Sequence, residues 1–271
     1  MERELVRPPL ENLIEKITDK RGVNLGIYKN SFLQRRLDMR LRARKINSYS
    51  QYSSLLDEDP SEYNALFDAL SINVTEFFRD RGVFDVFSSY IVPQILATAA
   101  DRQVKVCCAG CATGEEAYSV AIQINEACRG KDGISFKVTG TDVNPKSISL
   151  ARQGKYPVSA LKNLPKHLLV KYFHRSSDDG FYEISNEIKN HVSFNVGDLT
   201  TVVPPRFLDA IFCRNVLMYF EREVQYAIFT KFYNSLREPG FLVLGMAETV
   251  IGHPSELFES VLSKERIYHK R

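Results

Sequence analysis

No apolar run in this 271-residue chain approaches the ~20 residues that a helix needs to cross a bilayer. The opening stretch MERELVRPPLENL has no apolar core of the kind that marks a secretory signal, so a cytoplasmic location is expected. Cysteine is sparse. There are five, an odd number, and three of them (Cys107, Cys108 and Cys213) fall in predicted strands, which argues against a disulfide framework. Cys108 and Cys111 form a CxxC, but no second pair or histidine cluster accompanies them. Small core and turn residues are the preferred reading over a metal or redox role. His167, His174, His191, His253 and His269 are scattered without ligand spacing, so no metal is expected. The net charge is only +3, too little for the molecule as a whole to be a polyanion binder.

What is present divides in two. Residues 1–75 read as an all-helical domain. LENLIEKITDK, FLQRRLDMRLRARK, YSQYSSLLDED and SEYNALFDALS carry helical apolar spacing. Residues 76–103 read as a linker and helix, and 104–271 as an α/β domain in which strands and helices alternate. That rhythm implies an open, mostly parallel sheet with helices on both faces. The helix EREVQYAIFTKFYNSLREPG is expected to close at Pro239 and Gly240. Residues 155–190 break the alternation; a turn at SSDDG followed by FYEIS suggests a small antiparallel insertion.

The most informative stretch is VKVCCAGCATGEEAYSVA, Val104–Ala121, a buried strand, a small-residue turn and a helix. Gly110, Ala112 and Gly114 keep side chains out of the turn, so that a ligand can approach the backbone. Glu115 and Glu116 occupy the first helical turn, where a pyrophosphate site would leave room for an anion. A ligand with a cationic group suits two carboxylates better. S-adenosylmethionine (SAM), with its ammonium and sulfonium, fits; NAD does not.

In an open α/β sheet the ligand lies beyond the carboxyl ends of the strands. Asp142, ending VTGTDV, is placed to accept two ribose hydroxyls, or else to cap the next helix, a role open to Asn144 before Pro145. Asp198, ending FNVGDL, can accept from an adenine amino group, with Leu199 beside the ring; a plain loop aspartate is the alternative. Arg214 and Asn215 end DAIFCRN, and a charge directly after a buried strand needs a ligand or a structural ion pair. Between the domains lies INVTEFFRD, Ile72–Asp80. If helical, it groups Asn73, Phe77 and Asp80 on one side and Thr75 with Arg79 on another, and Arg79 can pair with a carboxylate of SAM or substrate.

Four segments, INVTEFFRD, AGCATGEEAYSVA, GTDVN and DAIFCRNVLMYF, stand in the order and spacing of one family. With them the chain resembles the chemotaxis receptor glutamate methyltransferases of bacteria and archaea, the CheR family, from the N-terminal helices to the last strand. The resemblance implies a Rossmann-like SAM-dependent methyltransferase sheet and SAM-dependent methyl esterification of glutamates on the cytoplasmic helical bundle of chemoreceptors. It further implies SAM contacts by Asn73, Thr75, Arg79, Glu115, Asp142, Asp198, Leu199, Arg214 and Asn215, with Tyr219 beside the transferred methyl. The family's common GHSE is GMAE here, with Met246 in place of histidine. The HRSSDDGFYEI region is short beside tether-binding relatives, so no strong binding of a receptor's pentapeptide tether is expected.

Esterification of a carboxylate needs no general base, because the nucleophile is already ionised at neutral pH. Positioning is the enzyme's task, and Arg79, Arg214 and Tyr219 are the candidates for aiming the carboxylate. On the helical domain Leu33, Leu37 and Leu41 form a predicted buried stripe. Arg36, Arg40 and Arg44 recur at the same spacing as a basic ridge suited to a glutamate-rich receptor, or else as a solvated face. Two competing readings are an RNA methyltransferase and a catalytically idle SAM-binding regulator. The first lacks an RNA-binding module and a DPPY-type motif, so no nucleic-acid partner and no membrane insertion are expected.

Overall fold

The structure, a computed structural model, describes residues 9–21, 24–70, 75–99, 103–131 and 133–271. These fall into two compact units: the described part of Met1–Ile72 together with Tyr219–Val224, and that of Asn73–Met218 together with Gln225–Arg271.

The first unit is helical, with α1 (Pro9–Arg21), α2 (Asn30–Ala43), α3 (Tyr49–Glu58) and α4 (Glu62–Leu70). Leu33, Leu37 and Leu41 are buried as the spacing predicts, packed in one core with Leu13, Ile17, Tyr52, Leu56 and Leu66. Ser48 starts α3 by accepting the Gln51 N–H at 3.2 Å. The second signal on α2, the row of arginines, resolves differently from the expected open ridge. Glu62, only 2% exposed, accepts both Nε and Nη2 of Arg40 at 2.9 Å and the Tyr52 hydroxyl at 2.7 Å. Arg44 reaches Asp59 at 3.1 Å. The Arg36 guanidinium lies 5.6 Å from the centre of the Phe32 ring. The cations that α2 and its end expose are Arg35, Arg42, Arg44 and Lys45. Tyr219 joins this unit, its ring 4.7 Å from that of Phe32 and its carbonyl accepting the Lys29 N–H at 2.9 Å.

The second unit opens with α5 (Arg81–Val86), a π-turn at Phe87–Ile91 and α6 (Val92–Ala97). The α/β series follows: β1 (Gln103–Ala109), α7 (Glu115–Cys128), β2 (Ser135–Asp142) and α8 (Pro145–Gln153). Next come β3 (Lys155–Pro157), α9 (Lys166–Tyr172), β4 (Phe173–Arg175), β5 (Phe181–Ile184) and α10 (Asn186–Lys189). The chain ends with β6 (Val192–Val196), β7 (Leu208–Cys213), α11 (Arg222–Ser235), β8 (Leu236–Leu244), β9 (Phe258–Leu262) and β10 (Ile267–Lys270).

Seven strands form a Rossmann-like sheet in the order β6-β2-β1-β7-β8-β10-β9, in which β10 alone of the seven runs against the others, pairing antiparallel with both β8 and β9. Successive connections run outward from β1 through β2 to β6 and then return to β7 on its other side. The crevice therefore opens at the carboxyl ends of β1 and β7. The expected insertion is a separate antiparallel sheet, β3-β5-β4.

Three local readings change. The helix before Pro239 ends at Ser235, because Leu236 already pairs with Leu208 of β7; Pro239 and Gly240 lie inside β8. Strand β9 was not anticipated. Thr75–Asp80 is not helical, and Phe78 and Asp80 take left-handed φ values of 54° and 57°. Its backbone partners are distant instead of local: the Phe77 N–H donates to the Ala160 carbonyl at 3.2 Å and the Phe78 N–H to Ser119 Oγ at 3.1 Å. Tertiary partners thus replace the helical ladder.

Arg40 balances a carboxylate that has almost no access to water, so Arg40→Ala is expected to destabilise the helical unit by about 2–3 kcal/mol, discounted from the cost of breaking a fully buried pair because the Arg40 side chain is 20% exposed. Arg35→Ala should change stability little. Denaturant unfolding of both variants checks this, and equal midpoints would mean that the Arg40–Glu62 pair is energetically neutral.

Candidate functional site

The turn after β1 is shaped by three left-handed residues, Gly110, Ala112 and Gly114, with φ of 78°, 46° and 94°. The missing side chains serve packing. A Cβ on Gly110 would lie 2.5 Å from Val216 Cγ2, and one on Gly114 would lie 2.9 Å from both Ala151 and Phe194. The turn is tied to β2, since the Gly110 and Cys111 N–H groups donate to the Thr141 carbonyl at 2.7 and 3.0 Å.

Asp142 closes β2 beside that turn. Its Oδ2 accepts the Ala112 N–H and its Oδ1 the Asn144 N–H, both at 2.9 Å. Asn144 caps α8, accepting the N–H groups of Lys146 and Ser147. The cap is therefore filled by Asn144, and Asp142, which the Val143 N–H also helps to stabilise, stands at the crevice with its carboxylate beside the turn. Burial pushes its carboxyl above the usual range, and the backbone N–H bonds only partly offset this.

Glu115 is 5% exposed and accepts the Thr113 hydroxyl at 2.7 Å; burial raises it above its ordinary value near 4.5. It lines a cavity of about 500 Å³ together with Thr75, Thr113, Tyr156, Lys162 and Phe181. A desolvated carboxylate facing such a space is a ready partner for an ammonium group. The insertion supplies part of this wall, through Tyr156 and Phe181.

Arg214 is drawn into an ion cluster. Its Nη2 donates to Asp80 at 2.5 Å and its Nη1 to Glu116 at 3.3 Å, with the guanidinium 5.7 Å from the Phe84 ring centre. Of the two explanations for a charge after β7, this geometry supplies the ion pair. Arg214 also helps to keep the Glu116 carboxyl from rising further through burial, with Arg79 acting in the same direction. Asp198 Oδ1 accepts the backbone N–H and the hydroxyl of Thr200, at 2.7 and 2.8 Å, and Lys231 Nζ donates to the carbonyls of Leu199 and Thr200. That local turn orders the loop which presents Asp198 and Leu199. Asn73 lies outside the described residues.

Sequence reading missed Glu248. Its Oε2 accepts the N–H groups of Asn215 and Gly245 at 2.8 Å, and its Oε1 those of Val216 at 2.8 Å and Met218 at 3.2 Å. One carboxylate thus holds the exits of β7 and β8 together, with Asn215 in a left-handed conformation at φ 62°. The available signal was the acid in GMAE, 33 residues from its first partner. The buried Cys107, Cys108, Cys111 and Cys213 are free thiols whose ionisation burial opposes.

Comparison with known proteins gives two family matches. The CheR methyltransferase SAM-binding domain matches residues 73–267, and the CheR methyltransferase all-alpha domain matches residues 8–71. A chemotaxis protein methyltransferase of Borreliella burgdorferi is 28% identical over 92% of this chain and 90% of its own length. Chemotaxis protein methyltransferase 2 of Pseudomonas aeruginosa is 30% identical over 94% and 91%. The chemotaxis protein methyltransferase of Salmonella typhimurium is 32% identical over 87% and 82%.

Each Glu248 oxygen takes two N–H donors, so Glu248→Gln would turn an NH₂ group against one of those pairs. A loss of about 2–3 kcal/mol is expected, from broken charge-assisted bonds and unsatisfied donors. Thermal unfolding measures it, and a wild-type melting temperature would show that the loop is held by other contacts.

Proposed function

The chain belongs to the CheR methyltransferase family, and from that premise we propose that it transfers the SAM methyl group to glutamate side chains on the cytoplasmic helices of chemoreceptors. The observation that carries the SAM part is the pair of desolvated carboxylates, Glu115 and Asp142, at the carboxyl edge of the parallel sheet. Glu115 would hold the ammonium group and Asp142 the ribose hydroxyls. Asp198 and Leu199 would meet the adenine, and Thr75 would line the amino-acid end. When bound, SAM supplies an electrophilic methyl on a positively charged sulfur.

The protein's part in the reaction is alignment. A substrate glutamate is ionised at neutral pH and has a lone pair to offer without a base. What must be arranged is an in-line approach and the exclusion of water, worth ~7–11 kcal/mol when the geometry is right. Arg79 is the candidate that draws the carboxylate in. Arg214 acts behind it, holding Asp80 and Glu116. Tyr219 keeps its place beside the methyl on the strength of the family motif. The receptor as substrate is supported by the likeness to chemotaxis protein methyltransferases over most of their length. The exposed cations Arg35, Arg42 and Lys45 supply charge complementary to rows of glutamates. A cytoplasmic location and weak or absent tether binding belong to the same reading.

Transfer of labelled methyl groups from SAM to receptor-containing membranes tests the proposal. The label should be released at high pH, as a carboxyl ester is. Label that enters RNA, or a protein label stable to base, would replace this reading with another substrate class.

A pH dependence follows from Glu115. An ammonium partner favours its ionised form, so SAM affinity is full above the raised carboxyl value and declines as pH falls through it, about tenfold per unit below. The decline should begin above the pH at which an ordinary glutamate titrates. Glu115→Gln should weaken binding at neutral pH and flatten the acid limb; parallel curves for the two proteins would remove Glu115 from the ammonium site.

A further inference from the structure

We propose that the antiparallel insertion is a working part of the cofactor site, with Tyr156 of β3 acting as a positioning residue that holds the Glu115 carboxylate through Thr113. This deepens the SAM reading above and rests on it. From the sequence, residues 155–190 read only as a small antiparallel insertion. The geometry instead runs a two-step relay from the insertion to the site.

The Tyr156 hydroxyl donates to the Thr113 carbonyl at 2.8 Å, and the Thr113 hydroxyl donates to Glu115 Oε2 at 2.7 Å. Tyr156 is 2% exposed and held edge-on by two rings, Phe77 at 4.8 Å and Tyr118 at 6.1 Å. Packed rings on two sides leave its hydroxyl little choice of direction. Thr113 needs such a partner. It sits between Ala112 and Gly114, both with positive φ, in a turn whose own bond is the Gly114 N–H to the Cys111 carbonyl at 2.9 Å. A bond to the Thr113 carbonyl helps to fix the backbone that carries its side chain, and the Thr113 hydroxyl is the donor that meets the buried carboxylate.

The same insertion also holds the segment after Thr75. The Ala160 carbonyl accepts the Phe77 N–H, while Asn163 Nδ2 and Lys162 Nζ reach the Glu76 carboxylate at 2.8 and 2.6 Å. Thr75 and Glu115 line one cavity, and the insertion bonds to the turn before Glu115 and to the segment after Thr75. Tyr156 is itself in register with Tyr182 of β5, so the relay is anchored in the insertion's sheet. A preorganised carboxylate binds an ammonium group more tightly than one that must be ordered on binding.

The test separates the two ends of the cofactor. Tyr156→Phe keeps the ring packing and removes the hydroxyl. Its affinity for S-adenosylhomocysteine should fall about tenfold, a readily measured change, while its affinity for 5′-methylthioadenosine, which lacks the amino-acid end, stays at the wild-type level. In a Glu115→Gln background, Tyr156→Phe should have no further effect. Equal losses for both ligands would mean general damage to the fold and overturn the proposal, as would no loss for either. If Tyr156→Phe does not fold, Thr113→Val breaks the relay at its other step and must show the same split. A wild-type protein that binds neither SAM nor S-adenosylhomocysteine overturns the SAM reading and the proposal with it; wild-type binding with an unaltered Tyr156→Phe affinity overturns the proposal alone.

Discussion

Where a parallel strand stops, the outgoing backbone carries N–H groups that have lost their ladder partners, and in this protein carboxylates collect them. Glu248 takes four, from Asn215, Val216, Met218 and Gly245. Asp142 takes those of Ala112, Val143 and Asn144. Asp198 takes the Thr200 N–H. The crevice keeps its shape because each loop at the carboxyl edge is tied to a negative charge. The same device stabilises part of the charge at this acid-rich edge before any ligand arrives, and Arg214 balances another part through Asp80 and Glu116.

Much of this was legible in the sequence, for a physical reason. The strand-turn-helix at β1 and α7, the acid closing β2 and the charged end of β7 are local patterns, and local patterns are what periodicity and turn chemistry encode. The competition between Asp142 and Asn144 for the α8 cap was posed correctly and decided for Asn144, since only its side chain reaches Lys146 and Ser147. Distant partners left no such trace. Thr75–Asp80 has a plausible helical spacing, yet Ala160 and Ser119 outbid the helix for its N–H groups. Glu248 and Tyr156 looked like ordinary strand-end and insertion residues, because apart from Gly245 the partners described above lie 30 to 43 positions away. The end of α11 fell four residues early for a similar reason, pairing of Leu236 with Leu208.

Charge on the helical unit follows the same logic. Counting arginines along α2 gives a ridge; tracing their partners gives an internal clasp and a smaller set of exposed cations. Arg40 belongs to Glu62 and Tyr52, so its contribution is to the packing of α2 against α4. Arg35, Arg42 and Lys45 lie on the solvent side and are better placed to attract an acidic partner at long range, within the ~8 Å over which salt at physiological strength leaves a field. Helical spacing reveals which residues share a face, whereas the number of charges a face can offer depends on what packs beside it.

The proposed reaction sets one further demand on these carboxylates. An enzyme that esterifies glutamates keeps its own acids near an electrophilic methyl, and a carboxylate loses nucleophilic strength when its lone pairs are engaged. Glu248 accepts two N–H bonds on each oxygen, Asp142 accepts the N–H groups of Ala112, Val143 and Asn144, and Glu116 faces Arg214. Glu115 accepts the Thr113 hydroxyl and its own backbone N–H, and it is the acid assigned to the ammonium group, whose charge would complete its solvation. A substrate glutamate arriving from water brings free lone pairs to a place where the protein's own are occupied. The difference that matters between substrate and enzyme is then the hydrogen-bonding state of the carboxylate, which the loops fix through the same contacts that hold the crevice open.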